Sequence, residues 1–318
     1  SGYWSSDVSL PISLNPKSPA QLLKFFYNDL GIAGVQAIGK EGLTTNSAAL
    51  AIVAEREPML KPLCQLILEL RSLGVFLGTF VEADLDSDGR MRCSFSIAGP
   101  TTYRFSSSEN AFGSGMNLQN IPVAVKAKIK DKDYIQLPNI RKLFIPDEGY
   151  TFYDMDLDRA DLQVVVWEAE DADMKKALRL GLDMHCFSAV DIFNLKGIPH
   201  DELTESHPNY KDHRARIGEA NRGKAKAGVH ATNYGVGDRK LAVALGITVH
   251  EASLFRSRWF SAHPGIRKWH LRTETLVASQ GYIENKFGAR FYNFGRFQLP
   301  EFLAWLPQST VAGVINRA

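Results

Sequence analysis

Between residues 152 and 167 the chain reads FYDMDLDRADLQVVVW, an alternation of acids and large apolar side chains that runs directly into an apolar segment. Side chains two apart in a strand share a face. A strand here sets Asp154, Asp156 and Asp158 on one face and Tyr153, Met155 and Leu157 on the other. The run LQVVVWEAE after Asp161 demands burial, so the strand-to-helix junction is expected to be packed, with Asp156 at the strand tip and Asp158 starting the next helix. Carboxylate oxygens are hard ligands suited to Mg²⁺ or Mn²⁺, and magnesium is commonly held by one or two carboxylates plus substrate phosphates and water. The competing reading is a solvent-facing strand whose acids favour a helix start electrostatically. This stretch alone leaves both open.

A second constraint comes from RGKAKAGVHATNYGVG at 222–237. Arg222, Lys226, His230 and Tyr234 recur every four residues, and on a helix each such step drifts by only about 40°, so they form one slanting stripe. Two cations followed by two rings suit a nucleoside triphosphate, the cations taking phosphate oxygens and the rings lying near sugar and base. The Ala- and Gly-rich opposite face allows close packing. An ordinary basic surface helix is the alternative, but it would carry acids as i,i+4 partners, and 222–237 contains none.

A chain of 318 residues that is 45% hydrophobic supports one large domain or two to three subdomains. Its net charge of +2 does not announce a nucleic-acid partner, although Lys211, Arg214, Arg216, Arg222, Lys224 and Lys226 concentrate positive charge at 211–226. Cys64, Cys93 and Cys186 are not spaced as metal pairs and read as free thiols in a reducing, cytoplasmic compartment. The first residues, SGYWSSDVSL, do not read as a signal peptide, and no apolar run is expected to reach the ~18 residues of a membrane span. Helices are expected from Ser18 and Pro19 to Gly31, over 46–56 and over 60–83. A strand at 91–97, a polar loop to Pro122 and two short strands around PDEG within 140–157 follow. Helix then dominates from Asp158, with a capping box at Thr248 and Glu251 and a further helix from Pro264 to about 279. A hairpin at 281–294 completes the pattern, which is α+β with subdomains. The tryptophans, His263 and His270 are expected to be packing residues, and Gly113 and Gly115 a flexible connection.

In order along the chain, TYRFSSSENAFGSGMNLQNIP, IRKLFIPDEGY, DLDRADLQ from Asp156, GLDMH at 181–185, the 222–235 stripe ending in Tyr234-Gly235, and PQSTVA at 307–312 resemble the motifs of family A DNA polymerases, the bacterial polymerase I type. The resemblance covers nearly the whole chain. It implies a right-hand fold of thumb, palm and fingers, with the palm incomplete at the C-terminus. The division it implies is a thumb-like helical region at 1–85, palm strands and a primer–template loop at 86–157, fingers at 158–280 and a palm return segment at 281–318. It implies two-metal nucleotidyl transfer of dNTPs to a primer 3′-OH with Mg²⁺ or Mn²⁺. Asp156 and the Leu157 carbonyl would hold metal, and Asp156 and Lys226 would be catalytic. Arg222, Lys226, His230, Tyr234, His185 and Asp161 would bind the nucleotide. Arg104, Asn117, Gln119, Asn120, Arg141 and Gln308 would contact primer–template DNA, in a mostly backbone-directed and salt-sensitive way.

The sequence departs from the family pattern in several places. The ribose-gate position carries Asp161 instead of Glu, an arm shorter by ~1.5 Å. The aromatic position of the fingers helix carries His230, and Asp158 adds a charge beside the metal position. The family's second metal-binding carboxylate has no counterpart in 281–318, where Glu284 and Glu301 are the only acids and follow no matching motif. A second polypeptide or further C-terminal segment is the expected source. No proofreading exonuclease and no membrane partner are expected. Alternatives are a catalytically inactive primer–template-binding protein of the same fold and a single-subunit RNA polymerase relative. A virus-encoded enzyme acting in the host cytoplasm is compatible with these features, as is a cellular one.

Overall fold

Helix caps written in the sequence set several of the element boundaries. The computed structural model describes residues 14–36, 42–97, 99–122, 139–295 and 297–317. The chain divides into two compact units, one of Ser1–Phe95 and Ser107–Thr151, the other of Ser96–Ser106 and Phe152–Ala318. Short strands β1 (Ser94–Ser96) and β2 (Ser106–Ser108) lie where the chain passes between them.

In the first unit the Ser18 side chain accepts from the Gln21 amide and Pro19 opens α1 (Pro19–Leu23). A π-helical turn, Lys24–Asp29, continues it, and Gly31 at φ +63° follows. Gln21 reaches back to the amide of Asn15 at 2.8 Å instead of closing a reciprocal box with Ser18. Asn46 caps α2 (Ser47–Arg56), and α3 (Lys61–Phe76) is flanked by a 3₁₀ turn at Pro58–Leu60 and a π turn at Leu77–Val81. Leu22, Phe26, Leu50, Val53, Cys64 and Ile67 form the unit's core.

Two expectations for this unit are corrected. Pro58–Val81, at 24 residues and mean hydropathy 1.5, is long and apolar enough to cross a membrane by length and composition. Lys61, Glu69 and Arg71 interrupt its apolar run, which hides it from a search for unbroken stretches. The structure turns Arg71 inward, where it donates to the carbonyls of Pro16 at 3.0 Å and Thr45 at 2.6 Å. Gly113 and Gly115 belong to a knotted turn, not a loose connection. Asn110 donates to the Ser114 hydroxyl at 2.6 Å and to Asp86 at 3.1 Å. A β carbon at Gly115 would lie 1.7 Å from the Arg92 carbonyl oxygen, so only glycine fits there.

The strands expected within 140–157 are absent. Asn139 caps a 3₁₀ turn at Ile140–Leu143, and the Tyr150 amide closes a turn on the Asp147 carbonyl at 3.0 Å. Residues 151–158 are all exposed and carry no helix or strand. A strand exists only as a hydrogen-bonded ladder, and among the described residues no neighbouring strand pairs with this alternation.

The second unit is a helical body. It comprises α4 (Ala160–Ala169), α5 (Ala172–Arg179), α6 (Met184–Phe193), α7 (Tyr210–Ile217) and α8 (Glu219–Asn233). There follow α9 (Asp238–Leu245), α10 (Val249–Ala262), α11 (Pro264–Gln280), the hairpin β3 (Tyr282–Glu284) and β4 (Arg290–Tyr292), and α12 (Leu299–Ile315). The helix α4 begins at Arg159, which is left-handed at φ +50° and donates to the Leu182 carbonyl at 2.7 Å, so Asp158 stands outside it. The Thr248–Glu251 capping box is present and Pro264 opens α11 as expected. Hairpin pairs are Tyr282 with Tyr292, Ile283 with Phe291, and Glu284 with Arg290. Trp259, Trp269 and Trp305 are buried core residues, whereas Trp167 is exposed under the ammonium of Lys175 at 4.4 Å. In α8, Gly228 lies under the Phe255 ring of α10, where a β carbon would come within 2.3 Å of a ring carbon.

His263, buried at the α10–α11 junction, lies between Asp171 at 3.3 Å and Asp191 at 3.2 Å. Burial opposes its charge, but the two carboxylates outweigh burial and raise its pKa. Such a group stabilises the fold fully below the unfolded histidine value of about 6.5 and ceases to do so as pH rises through the folded value. Burial is likewise outweighed at Asp171 and Asp191, whose pKa values are lowered, so their contribution is lost only as pH falls below the unfolded value of about 3.9. Thermal melting between pH 6 and pH 9 should therefore show a fall in Tm that His263→Gln largely removes. The same slope in both proteins contradicts this assignment.

Candidate nucleotide site

The stripe on α8 forms as the spacing requires. Ala225, Gly228, Val229 and Thr232 are buried on the packing side, while Lys226 and His230 are exposed and Tyr234 caps the helix. Gly235 at φ +73° then turns the chain away. A cavity of about 600 Å³ lies along the stripe, lined by Asp161, His185, Lys226, His230 and Tyr234 over an apolar floor that includes Leu162, Val165 and Met184. Three helices build it, with α4 supplying Asp161, Leu162 and Val165, α6 supplying Met184 and His185, and α8 with its cap Tyr234 supplying Lys226 and His230.

At one end, the Tyr234 hydroxyl donates to Asp161 Oδ2 at 3.2 Å, and Arg104 bridges both Asp161 oxygens at 3.2 Å each. Burial, then the Asp161 charge, raises the Tyr234 pKa well above the ordinary phenol value. The His230 ring meets that of Tyr234 edge-on, with centroids 4.5 Å apart. At the other end, the Nε of Arg222 donates to Asp183 Oδ2 at 3.0 Å. Asp183 caps α6 by accepting from the amides of His185 and Cys186 at 3.0 and 3.2 Å. Burial raises its pKa, but the donors around it, Arg222 and Tyr210 first, win and hold it far below the carboxylate range. Burial lowers the His185 pKa, opposed by Asp183 and reinforced by Arg222 and Lys226, which keeps the imidazole neutral. Burial and the Asp183 charge push the Cys186 thiol up to about 12, so it is inert.

Of the residues expected to bind nucleotide, Asp161, His185, Lys226, His230 and Tyr234 line one cavity, and Arg222 stands one turn before Lys226. Asp156 and Leu157 are exposed and do not line it. Among the described residues, no three histidine, cysteine, aspartate or glutamate side chains are grouped to hold a metal ion. The residues described therefore do not by themselves fit a two-ion site. Arg104 is engaged with Asp161, and Gln308, on α12, lies near Tyr234. In the first unit, Asn117 caps the 3₁₀ turn Leu118–Asn120 that carries Gln119 and Asn120, and Arg141 donates to the Ile121 carbonyl at 3.0 Å. Asp183 and Tyr210 are the site residues that sequence reasoning passed over. Asp183 had a signal, an aspartate directly ahead of an apolar helical run, while Tyr210 had none.

The profile of DNA polymerase family A matches residues 8–295. DNA polymerase I of Pseudomonas aeruginosa is 28% identical over 282 residues, covering 87% of this chain and 27% of that protein. Thermostable DNA polymerase I of Thermus aquaticus is 28% identical over 286 residues, covering 89% and 30%. The chain thus spans less than a third of the length of these curated relatives. Its fold is that of the POL domain of Pol1 from M. smegmatis, solved with a DNA primer–template and dNTP. The TM-score is 0.71 at 24% identity, covering 95% of this chain and 49% of that one.

The Asp161–Tyr234 contact yields a direct expectation. Asp161→Asn removes the negative charge but leaves the Arg104 cation, so the Tyr234 phenol should titrate at lower pH, while Tyr210 stays put. NMR of ring-labelled tyrosine reads both, and an unmoved Tyr234 contradicts the contact.

Proposed function

The chain belongs to DNA polymerase family A, and from that we propose that the α8 cavity binds a deoxynucleoside triphosphate for template-directed addition to a primer 3′-OH. The observation that carries this reading is the convergence of one cation and three rings on one cavity, with a second cation beside it. Lys226 faces it, Arg222 lies one turn away, and His185, His230 and Tyr234 line the rest. Lys226 and Arg222 would take phosphate oxygens, as point charge and planar fork respectively. A neutral His185 gains a proton-stabilising partner when a polyanion arrives. His230 and Tyr234 present ring faces and edges to sugar and base. Asp161, tethered by Tyr234 and Arg104, would border the sugar. The solved relative bound to primer–template and dNTP supports both as ligands of this chain. Arg104, Asn117, Gln119, Asn120, Arg141 and Gln308 are proposed contacts to primer–template, directed mainly at its backbone.

Mg²⁺ or Mn²⁺ enters this proposal with Asp156 and the Leu157 carbonyl as its anchor on this chain. Two hard dications need more carboxylate than one aspartate supplies. A second carboxylate would come from a segment or polypeptide beyond the described residues. A second reading is favoured by the exposure of Asp156 outside the cavity. In it, the chain binds primer–template without extending it.

Primer extension with dNTPs and Mg²⁺ separates these readings. The chain is assayed alone and supplemented with the carboxylate-bearing palm segment of a family relative. Extension is expected, with Asp156→Ala reducing it by more than about 100-fold, some 2.7 kcal/mol in the barrier, while duplex affinity is unchanged. Duplex binding with no extension under either condition selects the second reading. Normal extension by Asp156→Ala overturns the metal assignment.

A further inference from the structure

Between α6 and α8 the chain inserts a helix whose first residue reaches the same carboxylate that holds Arg222. The Tyr210 hydroxyl donates to Asp183 Oδ2 at 2.9 Å, and the Nε of Arg222 donates to that same oxygen at 3.0 Å. Tyr210 and Asp183 are buried, at 5% and 8% exposure, so the contact between hydroxyl and carboxylate is shielded from bulk water. A hydrogen bond into a buried carboxylate is charge-assisted and geometrically strict.

The helix carrying Tyr210 is itself pinned. Arg216 donates to the carbonyls of Gly197 at 2.8 Å and Lys196 at 3.1 Å. His213 Nε2 lies 2.7 Å from Glu202, and Asn209 donates to the same Glu202 oxygen at 2.9 Å. Ile217 is buried at 1% exposure. Tyr210 is therefore presented by a braced element. Arg222 has five N–H donors. Its hydrogen bond to Asp183 uses Nε, which turns the guanidinium about a fixed axis, and the Cys186 thiol is a further side-chain partner of Arg222.

We infer that Tyr210 is a positioning residue for Arg222: acting through Asp183, it fixes the guanidinium in the orientation that receives the phosphates of an incoming nucleotide. This rests on the cavity reading above. Tyr210 touches no phosphate itself. With the Cys186 thiol, which donates to the same oxygen at 3.3 Å, it keeps Asp183 Oδ2 saturated, so that this oxygen does not draw further N–H groups from Arg222. Without the hydroxyl, Asp183 Oδ2 keeps only Arg222 and the Cys186 thiol as side-chain donors and can draw in more of the guanidinium, in competition with the phosphates.

The test is calorimetric binding of inorganic tripolyphosphate and of thymidine to the full 318-residue chain. Tyr210→Phe keeps the buried ring. It is expected to weaken tripolyphosphate by about three- to tenfold, the range for losing one net hydrogen bond, and to leave thymidine unchanged. In an Arg222→Ala background, Tyr210→Phe should have no further effect, because its action passes through the missing guanidinium. If Arg222→Ala weakens tripolyphosphate but Tyr210→Phe does not, the inference falls and the cavity reading stands. An equal Tyr210→Phe effect with and without Arg222, or equal losses for thymidine and tripolyphosphate, marks a merely structural role and also overturns it. Full tripolyphosphate affinity in Arg222→Ala overturns the inference and the cavity reading together.

Discussion

The second unit depends on how tightly α8 lies against its neighbours. Its buried face is built from Ala225, Gly228, Val229 and Thr232, and Phe255 of α10 occupies the space a side chain at Gly228 would need. Adding one methyl there would ordinarily strengthen a helix by up to about 1 kcal/mol. Here it would instead overpack a site with no slack, at a cost of about 1–3 kcal/mol. Because that face is locked against α10, the opposite face has a fixed direction. The stripe of Arg222, Lys226, His230 and Tyr234 follows from this packing as much as from its own spacing.

Electrostatics then sorts the stripe into two ends. Asp183 is the counter-ion of Arg222, and Asp161 is the acceptor for Tyr234 and Arg104. Both acids come from the first turns or caps of helices, where a carboxylate is favoured by unpaired backbone amides. Between them lies Lys226, for which no ion pair is present among the described residues. A stripe that pairs its two ends and leaves a cation between them is suited to a chain of phosphates.

Local chemistry was legible in the sequence wherever it was decided within a few residues. Ser18 as a cap, Thr248 with Glu251, Pro264 and the hairpin at 281–294 all form where the sequence places them, although Gln21 turns to Asn15 and closes no box with Ser18. The α8 stripe was legible for the same reason. The strand expected around Asp154 and Asp156 was not formed, because alternation specifies a strand only once a neighbour supplies the ladder. Pro58–Val81 does not read as one apolar run because three charges break it, although Arg71 finds carbonyl partners inside the unit. Tyr210 was illegible because its partner, Asp183, is distant in sequence and reached only through the packing of α7 on α6.

The claim at the centre is that His185 and His230 flank the place where a triphosphate sits. Histidine-detected NMR during a dTTP titration tests it most directly. The imidazole signals of His185 and His230 should move together and saturably, while those of His207 and His250, which do not line the cavity, stay fixed. Unmoved His185 and His230 signals at dTTP concentrations in the millimolar range, in a chain that remains folded, would contradict the account.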